Sequence, residues 1–177
     1  EEKTPELFSG KYRVITEFGR SLLLKAGKSL TRINYIKDWL PDFVKPICLT
    51  HLGTNQFVRA VYLPQVWGHR LSALDGTTGE SKTGGETVTY DIAGPLCFQV
   101  GLIVTILLIL VLALSFVFIV GDFLARDVNL PKLQTGDIIV IHDTGGYTMS
   151  MYSRYNSITP SVVYGYERSR NLTNKQM

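Results

Sequence analysis

Between Ile92 and Gly121 the chain carries no charged residue, and 18 of the 21 residues from Val100 to Val120 are apolar. As a helix that window would span about 31 Å, close to the hydrocarbon thickness of a bilayer. A buried strand needs only about 5–6 residues, so the window is several times too long to be one. Taken by itself it reads as a transmembrane helix. Its flanks barely specify an orientation: Arg126 and Lys132 follow it beside Asp122 and Asp127, and no cation lies close before it. A lone span would also put the two halves of the chain on opposite sides of a membrane. Outside the window the apolar share falls to about 40%, as in ordinary globular domains. With 11% aromatic residues and a net charge of only +3, disorder is excluded. The 18 basic and 15 acidic residues are interspersed, with no basic block of the kind a nucleic-acid binder carries.

The remaining 156 of the 177 residues read as mainly β. Strand-like runs are expected at 11–17, 31–37, 46–51, 57–63, 69–74, 87–92, 137–142, 147–152 and 162–166. A short helix from Arg20 to about Lys28, closed by Gly27, interrupts them. The Gly- and Thr-rich stretch Asp75–Glu86 reads as a hairpin loop. Many short β-branched runs punctuated by Gly and Pro predict a sandwich or barrel, while the opening strand–turn–helix resembles a piece of an α/β domain. The start, Glu1-Glu2-Lys3, is neither a signal peptide nor an initiator methionine, and the chain is expected to be the back part of something longer.

Several stretches offer chemistry. Glu17-Phe18-Gly19-Arg20-Ser21 lies where a strand gives way to a helix, so Gly19 and Arg20 can present amides to an anion; a plain turn is the alternative. Gly145-Gly146-Tyr147 offers amides and a phenol suited to a phosphate, or else is a hairpin turn. Arg59 and Tyr62 offer a guanidinium and a phenol to a carboxylate, or else a surface ion pair. Cys48 and Cys97, in apolar surroundings, fit buried free thiols better than a disulfide, and no histidine stands at zinc-ligand spacing from them. Gly76–Thr83 lacks the glycine before its lysine and precedes a strand, so it is no nucleotide-phosphate loop.

These stretches occur in one order: Glu-x-Gly-Arg-Ser, Arg-x-x-Tyr, Gly-Pro-Leu-Cys, Gly-Asp, Leu-Pro-x-x-x-x-Gly-Asp, Asp-x-Gly-x-Tyr, then Ser150 to Asn156. The order resembles the C-terminal part of the fold-type III, pyridoxal-phosphate-dependent ornithine/diaminopimelate/arginine decarboxylases. The resemblance covers nearly all of the chain outside Val100–Val120. It implies the end of a (β/α)8 barrel over residues 1–30, a C-terminal β domain over 31–99 and 121–177, and an apolar insertion over 100–120. It implies pyridoxal 5'-phosphate as cofactor, an amino-acid substrate, and a homodimer with the active site shared across its interface. Glu17 would pair with the pyridinium nitrogen, Gly19, Arg20 and Tyr147 would bind the phosphate, and Cys97 would be the catalytic thiol reaching across the interface. Arg59 and Tyr62 would contact substrate, and Asp122 would support the partner's active site.

Four departures follow from the same resemblance. The Schiff-base lysine belongs to the barrel upstream, and no lysine here sits in its motif, so the chain is expected to be inactive alone. Phe98 stands where diaminopimelate enzymes carry a substrate-contacting glutamate, and Leu63 stands where ornithine enzymes carry an acid. Arg59, able to hold a distal carboxylate, tilts the expectation toward diaminopimelate. In the family the cysteine loop runs directly into Gly-Asp, so Val100–Val120 is expected to be either an unremoved intron or a late insertion. A translated, inserted span would make the protein membrane-bound, and otherwise it would be cytoplasmic. The rival reading is a single-pass membrane protein whose β module binds without catalysis.

Overall fold

A computed structural model of the 177-residue chain describes residues 3–38, 45–62, 64–98 and 121–165, excluding the side chains at 61–62 and 64–65. The fold is mainly β. Six strands, β1 (Lys28–Lys37), β2 (Ile47–Thr50), β3 (Leu71–Leu74), β4 (Thr87–Ala93), β5 (Phe123–Pro131) and β6 (Ile138–His142), form one sheet in the order β3-β6-β1-β2-β4-β5. Only β2 and β4 run parallel; the other neighbours are antiparallel. The end strands β3 and β5 also approach each other, so the sheet nearly closes into a barrel.

Period-two patterning explains the orientation of β1. Thr31 and Ile33 are buried, while Leu30, Arg32 and Asn34 face out. An irregularity between Ile33 and Tyr35 then shifts the register, turning Ile36 toward the core. Ile33, Cys48, Phe57, Tyr90, Ile92, Leu124, Ile139 and Ile141 pack together inside. Tyr90 keeps its buried hydroxyl satisfied by accepting the Leu133 N–H at 3.0 Å.

Several sequence expectations change. Residues 11–17 form no strand: Tyr12, Val14 and Ile15 are exposed, and no described strand lies alongside to supply a ladder. Where a strand is expected at 57–63, the described residues 58–62 form a helix, α2 (Val58–Tyr62), and a second, α3 (Pro64–Trp67), lies beyond. Its β-branched residues favour a strand locally, but Phe57 and Ala60 must enter the core together, and their spacing of three does so on a helical turn. The helix after Gly19 is shorter, α1 (Arg20–Leu23) with a 3-10 turn over Leu24–Ala26. The strand expected at 147–152 is a bend leading into a 3-10 turn at Met149–Met151, and 162–165 have no regular structure. The stretch after β3 does reverse tightly, bridging Leu74 to Ser81, yet β3 and β4 are not paired. Strand β5 lies outside every strand-like run of the sequence, because Arg126-Asp127 interrupts its apolar pattern. The structure places Asp127 at φ 54°, its N–H donating to Asp91 Oδ1 at 2.9 Å, so the charged pair sits at a bulge.

The transmembrane expectation for Val100–Val120 lies outside the described residues. Among the described residues no helix is long and apolar enough to cross a membrane. The described ends on either side are close: a Cβ built on Gly121 would lie 3.7 Å from the Phe98 carbonyl oxygen.

Candidate active site

The short α1 ends in a turn that docks on the Gly145-Gly146 loop. Gly145 N–H donates to the Leu24 carbonyl at 2.9 Å, and Thr144 N–H donates to the Gly27 carbonyl at 3.0 Å. The backbones meet so closely that a methyl on either Gly27 or Gly145 would overlap the opposite strand of chain. Thr148 Oγ1 closes the loop from inside by donating to the Thr144 carbonyl at 2.6 Å. Tyr147 is thereby held at φ 58°, in the left-handed region.

That docking brings three sequence-predicted residues together around one indole. The guanidinium carbons of Arg20 and Arg59 each lie 4.4 Å from the Trp67 ring centroid, and that of Arg59 lies 3.7 Å from the Tyr147 centroid. Helices α2 and α3 set this up, since Arg59 stands on the first and Trp67 ends the second. Neither arginine forms an ion pair among the described residues. Two guanidinium groups with no carboxylate between them make a site for an anion, and planar stacking leaves their N–H edges available to it. Helix α1 has only four residues, so its dipole is a minor contribution beside these charges. Glu17 is exposed, and Gly19 N–H is turned back onto the Glu17 carbonyl at 3.2 Å, so the amide expected to meet an anion there is already committed. Tyr62 ends α2, but its side chain is outside the described set.

Cys97 and Asp122 meet in a second cluster. The Asp122 carboxylate is buried: Oδ1 accepts the Thr54 N–H at 2.7 Å and the Thr54 hydroxyl at 2.9 Å, and Oδ2 accepts the Leu96 N–H at 2.5 Å. Its backbone carbonyl also accepts the Gly94 N–H at 2.8 Å. Gly53 and Gly94 press against this carboxylate with no room for a methyl. All of these contacts hold the turn that presents Cys97, so Asp122 acts on the loop and not through a free carboxylate.

Both cysteines are free, as expected, but only Cys48 is buried. Burial pushes its thiol up to about 12, and the nearby Asp137 carboxylate adds to that. Cys97 is exposed at the end of its loop. At pH 8, iodoacetamide is therefore expected to modify Cys97 and leave Cys48 intact in the folded chain; equal labelling, read by peptide mass spectrometry, would contradict this arrangement.

Sequence reasoning missed Trp67, and also Tyr155 and Asn156 as contacts of Cys97. The first stands on a different short helix from Arg59, so spacing carried no signal for it. The other two had none, because their contact with Cys97 is long-range.

No family model matches the chain. Diaminopimelate decarboxylase of Escherichia coli (strain K12) is 30% identical over 171 residues, covering 90% of this chain and 34% of that protein. The diaminopimelate decarboxylase of Archaeoglobus fulgidus is 29% identical over 142 residues, covering 79% and 26%. The chain thus spans about a third or less of these relatives' lengths. Among solved structures, diaminopimelate decarboxylase from Helicobacter pylori complexed with L-lysine matches with a TM-score of 0.59 at 26% identity, over 86% of this chain and 29% of that one. A lysine decarboxylase from Selenomonas ruminantium, at 19% identity and a TM-score of 0.54, shares the fold. By sequence and by fold together, the chain belongs to the fold-type III, pyridoxal-phosphate-dependent ornithine/diaminopimelate/arginine decarboxylase family, of which it represents the C-terminal part.

Proposed function

We propose that the chain is the C-terminal β domain of an amino-acid decarboxylase acting on diaminopimelate or ornithine, with residues 1–30 closing an upstream (β/α)8 barrel. The observation that carries this reading is the Arg20–Trp67–Arg59–Tyr147 assembly, two guanidinium groups without an ion-pair partner among the described residues, beside a phenol. Those residues fit pyridoxal phosphate. A phosphate dianion would supply the charge Arg20 lacks and a substrate carboxylate the charge Arg59 lacks, and no carboxylate among the described ion pairs competes for either. What the cofactor supplies when bound is an electron sink for the pair left behind as an α-carboxylate departs as CO2.

This chain's own residues bind, orient and move protons. Arg20 and Tyr147 hold the phosphate end, and Gly19, whose N–H is already given to the Glu17 carbonyl, contributes only an open backbone approach. Glu17 keeps a proton at the pyridinium nitrogen, which strengthens the electron sink. Arg59 holds a distal carboxylate, which favours diaminopimelate, and Tyr62 lines the same stretch. Cys97 belongs to another cluster, which fits a homodimer in which its thiol returns a proton to the reacting carbon in the partner's site. Asp122 holds the loop in place for that transfer.

The test is CO2 release from diaminopimelate and from ornithine by the chain joined to its upstream barrel. Turnover of one of them is expected, falling about 100-fold or more in kcat on Cys97→Ala, the scale of a lost proton-transfer group. No release from either substrate by a folded, cofactor-loaded protein would overturn the reading.

A further inference from the structure

A cysteine has one rotatable side-chain bond, so the direction of its sulfur is set chiefly by the two peptide groups flanking its Cα. At Cys97 both are held by one distant turn. The Cys97 N–H donates to Asn156 Oδ1 at 3.0 Å, and the Cys97 carbonyl accepts the Tyr155 hydroxyl at 2.8 Å. The Tyr155 ring also meets Phe98 edge-on, with centroids 5.6 Å apart. The turn is itself shaped for this. Asn156 and Ser157 both adopt the left-handed conformation, at φ 56°, an unusual succession for residues other than glycine. Ser157 N–H ties back to the Arg154 carbonyl at 2.9 Å, and Ser153 N–H anchors the turn to the Asn55 carbonyl at 2.9 Å. Asn55 adjoins Thr54, the residue that Asp122 holds. The same anchoring segment therefore fixes the Leu96 side of the loop through Asp122 and the Cys97 side through Tyr155 and Asn156.

From this geometry we infer that Tyr155 and Asn156 are positioning residues for Cys97, gripping its backbone on both sides so that the thiol leaves the domain in one direction. The inference rests on the reading of Cys97 as the acting thiol, but its first test does not. Cys97 is exposed between half-buried Leu96 and Phe98, and among the described residues the hydrogen bonds of its peptide groups are those to Asn156 and Tyr155. Asp122 reaches only as far as the Leu96 N–H.

The test is amide hydrogen exchange on the full chain, read at Leu96 and Cys97, with iodoacetamide labelling of Cys48 as a reporter of global unfolding. Asn156→Gly keeps the left-handed backbone but removes the acceptor, whereas Asn156→Asp keeps both. Protection of the Cys97 amide is expected to drop about five- to tenfold in Asn156→Gly and to persist in Asn156→Asp, with Leu96 protected and Cys48 unlabelled throughout. Tyr155→Phe, which keeps the ring on Phe98, is expected to accelerate Cys97 labelling about threefold or more without exposing Cys48. Unchanged Cys97 exchange in Asn156→Gly, or equal loss at Leu96 and Cys97, would overturn the inference. In the chain joined to its barrel, Asn156→Gly should then lower kcat with KM unchanged. If the exchange result holds while kcat does not move, the grip is real and it is the catalytic role of Cys97 that fails.

Discussion

Asp122→Ala is expected to cost about 3–5 kcal/mol of folding stability, because one buried carboxylate serves three donors. Two of these are the backbone N–H groups of Thr54 and Leu96, which alanine would leave buried or half-buried without an acceptor. Hydrogen bonds to a charged acceptor contribute about 1.5–3 kcal/mol apiece, so the sum is large even after relaxation. Gly53 and Gly94 lack side chains that could fill the gap, and the space would not collapse well. Asp122→Asn should lose less, since one oxygen still accepts while the new amide faces a donor. Urea unfolding of the three chains side by side measures this. A shift below about 1 kcal/mol for alanine would show that the cysteine loop holds itself without the carboxylate.

The second large effect is expected at Gly145. A methyl there would overlap the Leu23 carbonyl oxygen, a backbone atom that cannot swing aside. Gly145→Ala must therefore push the loop away from the turn after α1, breaking the Gly145–Leu24 and Thr144–Gly27 hydrogen bonds, at a cost of about 3 kcal/mol or more. The displacement carries Tyr147 away from Arg59, so the anion site opens along with the fold. The neighbouring Gly146→Ala is the control: nothing lies within 4 Å of its added carbon, and its effect should stay within about 0.5 kcal/mol. Thermal unfolding of both variants decides the matter, and equal midpoints would show that the contact between Gly27 and Gly145 is not needed.

Sequence patterning revealed what repeats locally. The run Ile138–His142 and the alternation of Thr31 and Ile33 announced β6 and β1, and Ile47–Thr50 announced β2. The same logic mistook Phe57–Leu63 for a strand, because β-branched side chains are weighed by their neighbours in sequence while the core weighs them by where Phe57 and Ala60 must go. Strand β5 escaped notice because Arg126-Asp127 looks like a surface loop until Asp91 and Lys45 are seen to receive Asp127. Of the site, the types and order of Arg20, Arg59, Cys97 and Tyr147 were legible. Their grouping was not, since the stacking on Trp67 and the grip of Asn156 on Cys97 join residues far apart in the chain.

The nearness of Phe98 to Gly121 bears on how such a gene can change. A single residue suffices to connect two points that close, so whatever lies between them departs from and returns to one doorway. The entropy of closing a loop rises only with the logarithm of its length, by about 0.6 kcal/mol per doubling, so tens of residues can be gained or lost there for a few kcal/mol. The pairing of β4 with β5 is fixed on either side of the doorway, by Ala93 opposite Phe123 and Ile92 opposite Ala125. Strand register is thus insulated from the length of the excursion. Natural selection can treat that junction as a port, where segments are spliced in or out while the scaffold around it keeps its alignment.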